Sequence, residues 1–112
     1  MNWENVFDYS ELKTKYPRVY KYPIQCGFYS PADWMPIIDR LSERIELYLL
    51  SHSEIDFRVD QVKEKFGGLR FYVNVVNPVI DGYIEEAEAA VERLRAYPSD
   101  ETAIASENDV CG

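Results

Sequence analysis

Four carboxylates, Asp81, Glu85, Glu88 and Glu92, recur at spacings of three and four residues, which on a helix aligns them along one side. Such a row has three chemistries open to it: ligating a metal ion, standing in for a row of phosphates, or docking on a groove lined by arginine and lysine. Metal sites built on helices recruit facing carboxylates and histidines. The chain has a single histidine, His52, set among serines where a helix should end, and its expected role is capping or solvent contact. The row therefore reads as a solvated helix face or as a ridge for a basic partner. Neither a metal nor a cofactor is expected.

A second constellation is basic. Arg58, Lys63, Lys65 and Arg70 surround Phe66-Gly67-Gly68, with Tyr72 just beyond. These residues either pair with neighbouring acids, each exposed pair being worth little, or form a binding patch to which Tyr72 and Phe66 add apolar contact. Gly67-Gly68 lies between two strand-like runs, whereas a phosphate loop needs a helix N-terminus after its glycines. It reads as a hairpin turn that supplies the positive φ values a tight turn needs. No nucleophile–base pair or ligand cluster is readable, so an enzymatic role is not expected.

Charge separates the two constellations. The 112 residues carry a net charge of −8, unevenly spread. Residues 1–56 hold nine acids and six bases, residues 57–76 two acids and four bases, and residues 77–112 nine acids against Arg93 and Arg95. The basic hairpin is thus an island in an acidic chain. Acidity of this degree repels nucleic-acid backbones and favours basic protein partners. No apolar run approaches the roughly 20 residues of a membrane span. The N-terminus lacks a basic, then apolar, leader, so a cytoplasmic protein is expected. In that setting Cys26 and Cys111 should be free thiols.

The elements that would position these groups follow from periodicity. A short helix is expected around Glu11-Leu12-Lys13, capped by Asp8 or Ser10 and ended by Pro17. Tyr20 to Ile24 looks extended. Trp34, Ile37, Ile38, Leu41, Ile45, Tyr48 and Leu49 then recur at helical spacing from a start at Asp33, which keeps Pro36 in the first turn. Asp39, Arg40, Glu43, Arg44 and Glu46 take the rest of that helix's surface. Ile55, Phe57 and Val59 alternate with polar residues, and Val62 and Phe66 fall on the other parity, which predicts a bulge near Asp60-Gln61. Leu69, Phe71, Val73 and Val75 form the return strand. Asn77-Pro78 opens a second long helix whose apolar stripe is Ile80, Tyr83, Ile84, Ala87, Val91 and Leu94, and Pro98 closes it.

These elements predict one α+β domain over residues 1–98, in the order helix, helix, strand, strand, helix. Two long amphipathic helices should pack on one face of a small antiparallel hairpin sheet. That sheet would gain a strand from Tyr20–Ile24 or from a second copy of the chain, which leaves a monomer or a homodimer open. Residues 99–112 are polar and acidic, and a mobile tail is expected.

The stretch Gln61-Val62-Lys63-Glu64-Lys65-Phe66-Gly67-Gly68-Leu69-Arg70-Phe71-Tyr72 resembles the signature of a group of small bacteriophage and prophage proteins, of the form Q-[VI]-K-E-K-F-G-[GT]-L-R-F-Y. Cys26-Gly27, the helix from Trp34 to Leu41, and Ile84-Glu85-Glu86-Ala87-Glu88 fit the layout of that group, so the similarity spans roughly residues 24–95. The group commonly ends in a C-E-x-C-G knuckle suited to zinc. This chain has Asn108-Asp109-Val110-Cys111-Gly112 there, and one thiol cannot hold a structural zinc. The resemblance implies a phage or mobile-element origin and the same helical and hairpin core, and it brings no established activity.

Small acidic phage-borne proteins without catalytic residues typically bind and block a host protein. The expectation is therefore an inhibitor of the anti-restriction or anti-CRISPR kind, with Asp81, Glu85, Glu88 and Glu92 as the partner-binding residues. The alternatives are an immunity-type protein that neutralises a basic toxin, or a nucleic-acid accessory module using Arg58, Lys63, Lys65, Arg70 and Tyr72.

Overall fold

Both central residues of the hairpin turn have positive φ, Phe66 at 56° and Gly67 at 78°, as a two-residue turn between right-twisted strands requires. The computed structural model describes residues 5–95, and here the turn joins β3 (Val59–Lys65) to β4 (Gly68–Val73). Lys65 pairs with Gly68 across its base. The left-handed positions are thus Phe66 and Gly67, one residue earlier than the Gly67-Gly68 expected from composition, and Gly68 is the first residue of β4. Glu64 accepts the Gly67 N–H at 2.7 Å and closes the turn. The register shift expected near Asp60-Gln61 is present between Val59 and Gln61.

The order of elements is richer than expected, with two antiparallel strand pairs and three α-helices among the described residues, in an α+β fold. Strand β1 (Asn5–Val6) pairs with β2 (Ser30–Pro31), and helix α1 (Ser10–Lys15) lies between them in the chain. A 3₁₀ turn, Ala32–Trp34, leads into α2 (Met35–Leu50), with Pro36 in the first turn, where no helical N–H is lost. Asn77 caps α3 (Pro78–Arg95), its Oδ1 accepting the N–H groups of Val79 and Ile80 at 2.9 and 3.1 Å.

The hairpin does gain a neighbour, but not from Tyr20–Ile24, where the chain turns. Cys26 to Tyr29 runs alongside β3 instead. Cys26 N–H donates to Asp60 O, Val62 N–H to Gly27 O and Tyr29 N–H to Val62 O, at 2.8 to 3.1 Å, around a parallel bridge from Phe28 to Val62. Cys26 is disulfide-bonded, which corrects the free thiol expected from compartment. A prior based on compartment has no view of where the backbone carries a sulfur. Cys111 and the acidic residues 99–112 lie outside the described residues.

One core joins these parts. Val62, Leu69 and Phe71 of the hairpin, Ile38, Leu41, Ile45 and Leu49 of α2, and Ile80, Ile84, Ala87 and Val91 of α3 are all buried in it. Helix α3 packs on β4 and α2 packs on α3. The other side of α2 is covered by the segment from α1 to Ile24. Tyr20 is fully buried there and donates its hydroxyl to Ser42 Oγ at 2.6 Å, while Ser42 donates to Ile38 O. Burial pushes the Tyr20 hydroxyl far above its ordinary pKa, so it stays a neutral donor.

Glu46 departs from the expected surface position on α2. It is only 8% exposed. Its Oε1 accepts the N–H groups of Arg18 and Val19 at 2.9 and 3.1 Å, and its Oε2 accepts from the Arg18 guanidinium at 3.1 Å. A helix residue thereby holds the turn after Pro17 against α2. His52 ends α2 as expected, stacked on Tyr48 at 4.0 Å with Nδ1 2.9 Å from Tyr48 O.

Candidate functional site

Helix α3 presents its carboxylates beside the hairpin. Ile80, Ile84, Ala87 and Val91 face the core, and helical spacing puts Asp81, Glu85, Glu88 and Glu92 along one flank of that buried stripe. Glu85 and Glu92 are exposed, and Asp81 and Glu88 are half-buried. A Cβ placed on Gly68 would meet both the Arg70 guanidinium and the Glu92 carboxylate at 3.4 Å. The end of the carboxylate row and the base of the hairpin turn therefore lie against each other.

Glu88 is the electrostatically distinctive member of the row. Burial pushes its carboxyl above the ordinary range, the Arg70 guanidinium partly opposes this, and the neighbouring Glu85 adds to the rise. Arg70 thus acts as an internal counter-charge. An acid raised in the folded state favours folding below its unfolded pKa, and that contribution is lost as pH rises through the folded value. Glu88→Gln should therefore raise the melting temperature relative to wild type at neutral pH, and the gain should vanish once wild-type Glu88 is protonated in acid. Paired melts across the carboxylate range check this.

The basic constellation occupies the hairpin face opposite the core. Val62 pairs with Phe71 on the buried side, while Lys63 pairs with Arg70 and Gln61 with Tyr72 on the other. Tyr72 is exposed, and the Lys63 ammonium lies 5.9 Å from its ring centroid. Lys65 lies 5.6 Å from the Phe66 ring in the same way. Arg58 stands apart near the bulge, its Nε donating to Asp60 at 3.0 Å. Lys63, Lys65, Arg70 and Tyr72 thus share one face, and Arg58 pairs locally outside it.

Phe66 stands out at the tip. It is 56% exposed, it is the non-glycine residue with positive φ among the described residues, and the carboxylate row ends against Gly68, two residues further along the turn. Asparagine or glycine would occupy that backbone position with less strain. Among the described residues, no group of three or more His, Cys, Asp or Glu side chains is placed to hold a metal ion. No described helix is long and apolar enough to cross a membrane. No family model matches the chain, and neither a curated protein nor a solved structure matches it.

Proposed function

We propose that this chain is a non-catalytic binding protein of phage type that occupies and blocks a basic surface of another protein, using the hairpin tip and the acidic flank of α3 as one interface. The carrying observation is Phe66, a large apolar side chain held out to solvent in a strained backbone conformation, in the turn whose Gly68 meets the end of the carboxylate row. Local strain kept at an exposed aromatic residue is a mark of contact with something outside the chain. The flanking carboxylates supply charge complementarity, and the aromatic tip supplies the desolvated anchor that a row of surface charges lacks.

Charge density favours a protein surface over imitation of a nucleic-acid backbone. From Asp81 to Glu92 the helix rises about 16 Å, a length over which duplex DNA carries roughly ten phosphate charges. The flank offers four carboxylates, one of them opposed by Arg70. The same interface serves an anti-restriction or anti-CRISPR factor and an immunity-type protein that neutralises a basic toxin, since both need carboxylates against arginine and lysine.

Phe66→Asn tests the reading because its two effects have opposite signs. Asparagine relieves the strained turn, so the variant should gain about 0.5–1 kcal/mol of stability. It should also bind a basic amphipathic peptide, arginine on one face and leucine on the other, roughly tenfold more weakly than wild type. Thermal melts and fluorescence anisotropy read the two quantities. Unchanged peptide affinity in the stabilised variant would remove Phe66 from the interface.

A further inference from the structure

Helix α3 has a second flank, turned toward α2 and away from its carboxylate row. There Arg40, Arg44 and Arg93 line an open groove of about 390 Å³ whose floor is Leu41, Ala87 and Ala90. The two helices run antiparallel, and small alanine side chains on α3 leave the trough between them unfilled. Arg44 stacks over the Tyr83 ring, 4.3 Å from its centroid, and forms an ion pair with Glu86. Among the described residues, neither Arg40 nor Arg93 lies within ion-pair distance of a carboxylate. In a chain of net charge −8, three guanidiniums around one groove are a local reversal of sign.

We infer that this α2–α3 groove is a second interaction surface, which takes an acidic amphipathic segment of a protein. Three observations select that occupant. The guanidiniums offer forked donors matched to carboxylates. Exposed Leu47 and Val79 fall on the same helix faces as Arg44 and Tyr83, one turn away, and extend the groove with apolar surface, as helix-in-groove recognition requires. Glu86 shows the groove acting on a carboxylate already: hydrogen bonding and charge from Arg44, with a further contribution from Arg40, hold its carboxyl below the ordinary range. A long polyanion tracking beyond the groove would meet the acids that dominate the rest of the molecule, while a short carboxylate-bearing segment would not.

The test uses the full chain and an acidic amphipathic peptide, glutamate on one face and leucine on the other, titrated by fluorescence anisotropy. Wild type should bind in a salt-sensitive manner, and Arg40→Ala/Arg93→Ala should lose roughly tenfold or more in affinity, since two charge-assisted contacts disappear. Neither arginine holds the fold, so the melting temperature should stay at the wild-type value. Glu86→Ala removes the internal competitor for Arg44 and should tighten binding. Equal affinity for wild type and the double variant overturns the inference. So does tighter binding of a single-stranded oligonucleotide through the same arginines, which would make the groove a phosphate site.

Discussion

Glu46→Ala should be the most destabilising single surface-to-core change in this protein, at about 3 kcal/mol, because it leaves two backbone donors without their acceptor. Val19 is fully buried, and its N–H and that of Arg18 both end on Glu46 Oε1. Water cannot readily replace that acceptor at Val19. For a domain of this size the loss corresponds to a fall in melting temperature of roughly 12–20 °C. Glu46→Gln retains an oxygen that can accept both N–H groups and loses the charge facing Arg18, so about 1 kcal/mol is expected. Arg18→Ala should cost less than about 1 kcal/mol, since that side chain is half-exposed and its ion pair is screened. The order of the three variants carries the test. Capture of the backbone predicts Glu46→Ala far below the others, and equal costs for Glu46→Ala and Arg18→Ala would mean that the ion pair holds this junction instead.

Glu85→Lys/Glu88→Gln/Glu92→Gln should weaken binding of the basic amphipathic peptide by roughly thirtyfold or more while leaving the fold in place. Glu85 is exposed, and its reversal replaces an attraction with a repulsion across the proposed interface, while the other two changes each remove an attraction, at about 1 kcal/mol per site. Glu88 and Glu92 are changed to glutamine because both lie beside Arg70, where a lysine would set two cations together. Circular dichroism separates the loss of charge from a loss of structure. Affinity within a few-fold of wild type, with an intact helical spectrum, would show that the carboxylates are only a solvated face.

The hairpin was legible because alternation and parity speak directly about strands. Leu69, Phe71 and Val73 alternate cleanly, and the parity switch after Val59 announced the bulge. The turn fell one residue from its expected place for a physical reason. Composition assigns positive φ to glycines, whereas pairing of Lys65 with Gly68 forces it on Phe66. Helices α2 and α3 were legible from their apolar spacing and from Asn77-Pro78. The strand-like run at Cys26–Tyr29 was not, since backbone hydrogen bonds to β3 define it and its side chains carry no period. Glu46 was hidden similarly: a glutamate on an amphipathic helix reads as solvated, and its partners lie far away in the chain.

The candidate site divides along the same line. Spacing alone aligned Asp81, Glu85, Glu88 and Glu92, but it could not say what that row would face. Packing of α3 on β4 set it beside Arg70 and Gly68, which joins the acidic row to an aromatic tip. Arg40, Arg44 and Arg93 carried no local signal, because the groove exists only once α2 and α3 lie side by side.

Backbone chemical-shift mapping of the isotope-labelled chain during titration with the basic amphipathic peptide locates the interface residue by residue. Shifts should be confined to Phe66, Gly67 and Gly68 and to the flank of α3 from Asp81 to Glu92, with Arg40 and Arg44 on α2 unmoved. Shifts spread evenly over every acidic surface of the molecule, or centred away from the hairpin tip, would contradict this interface.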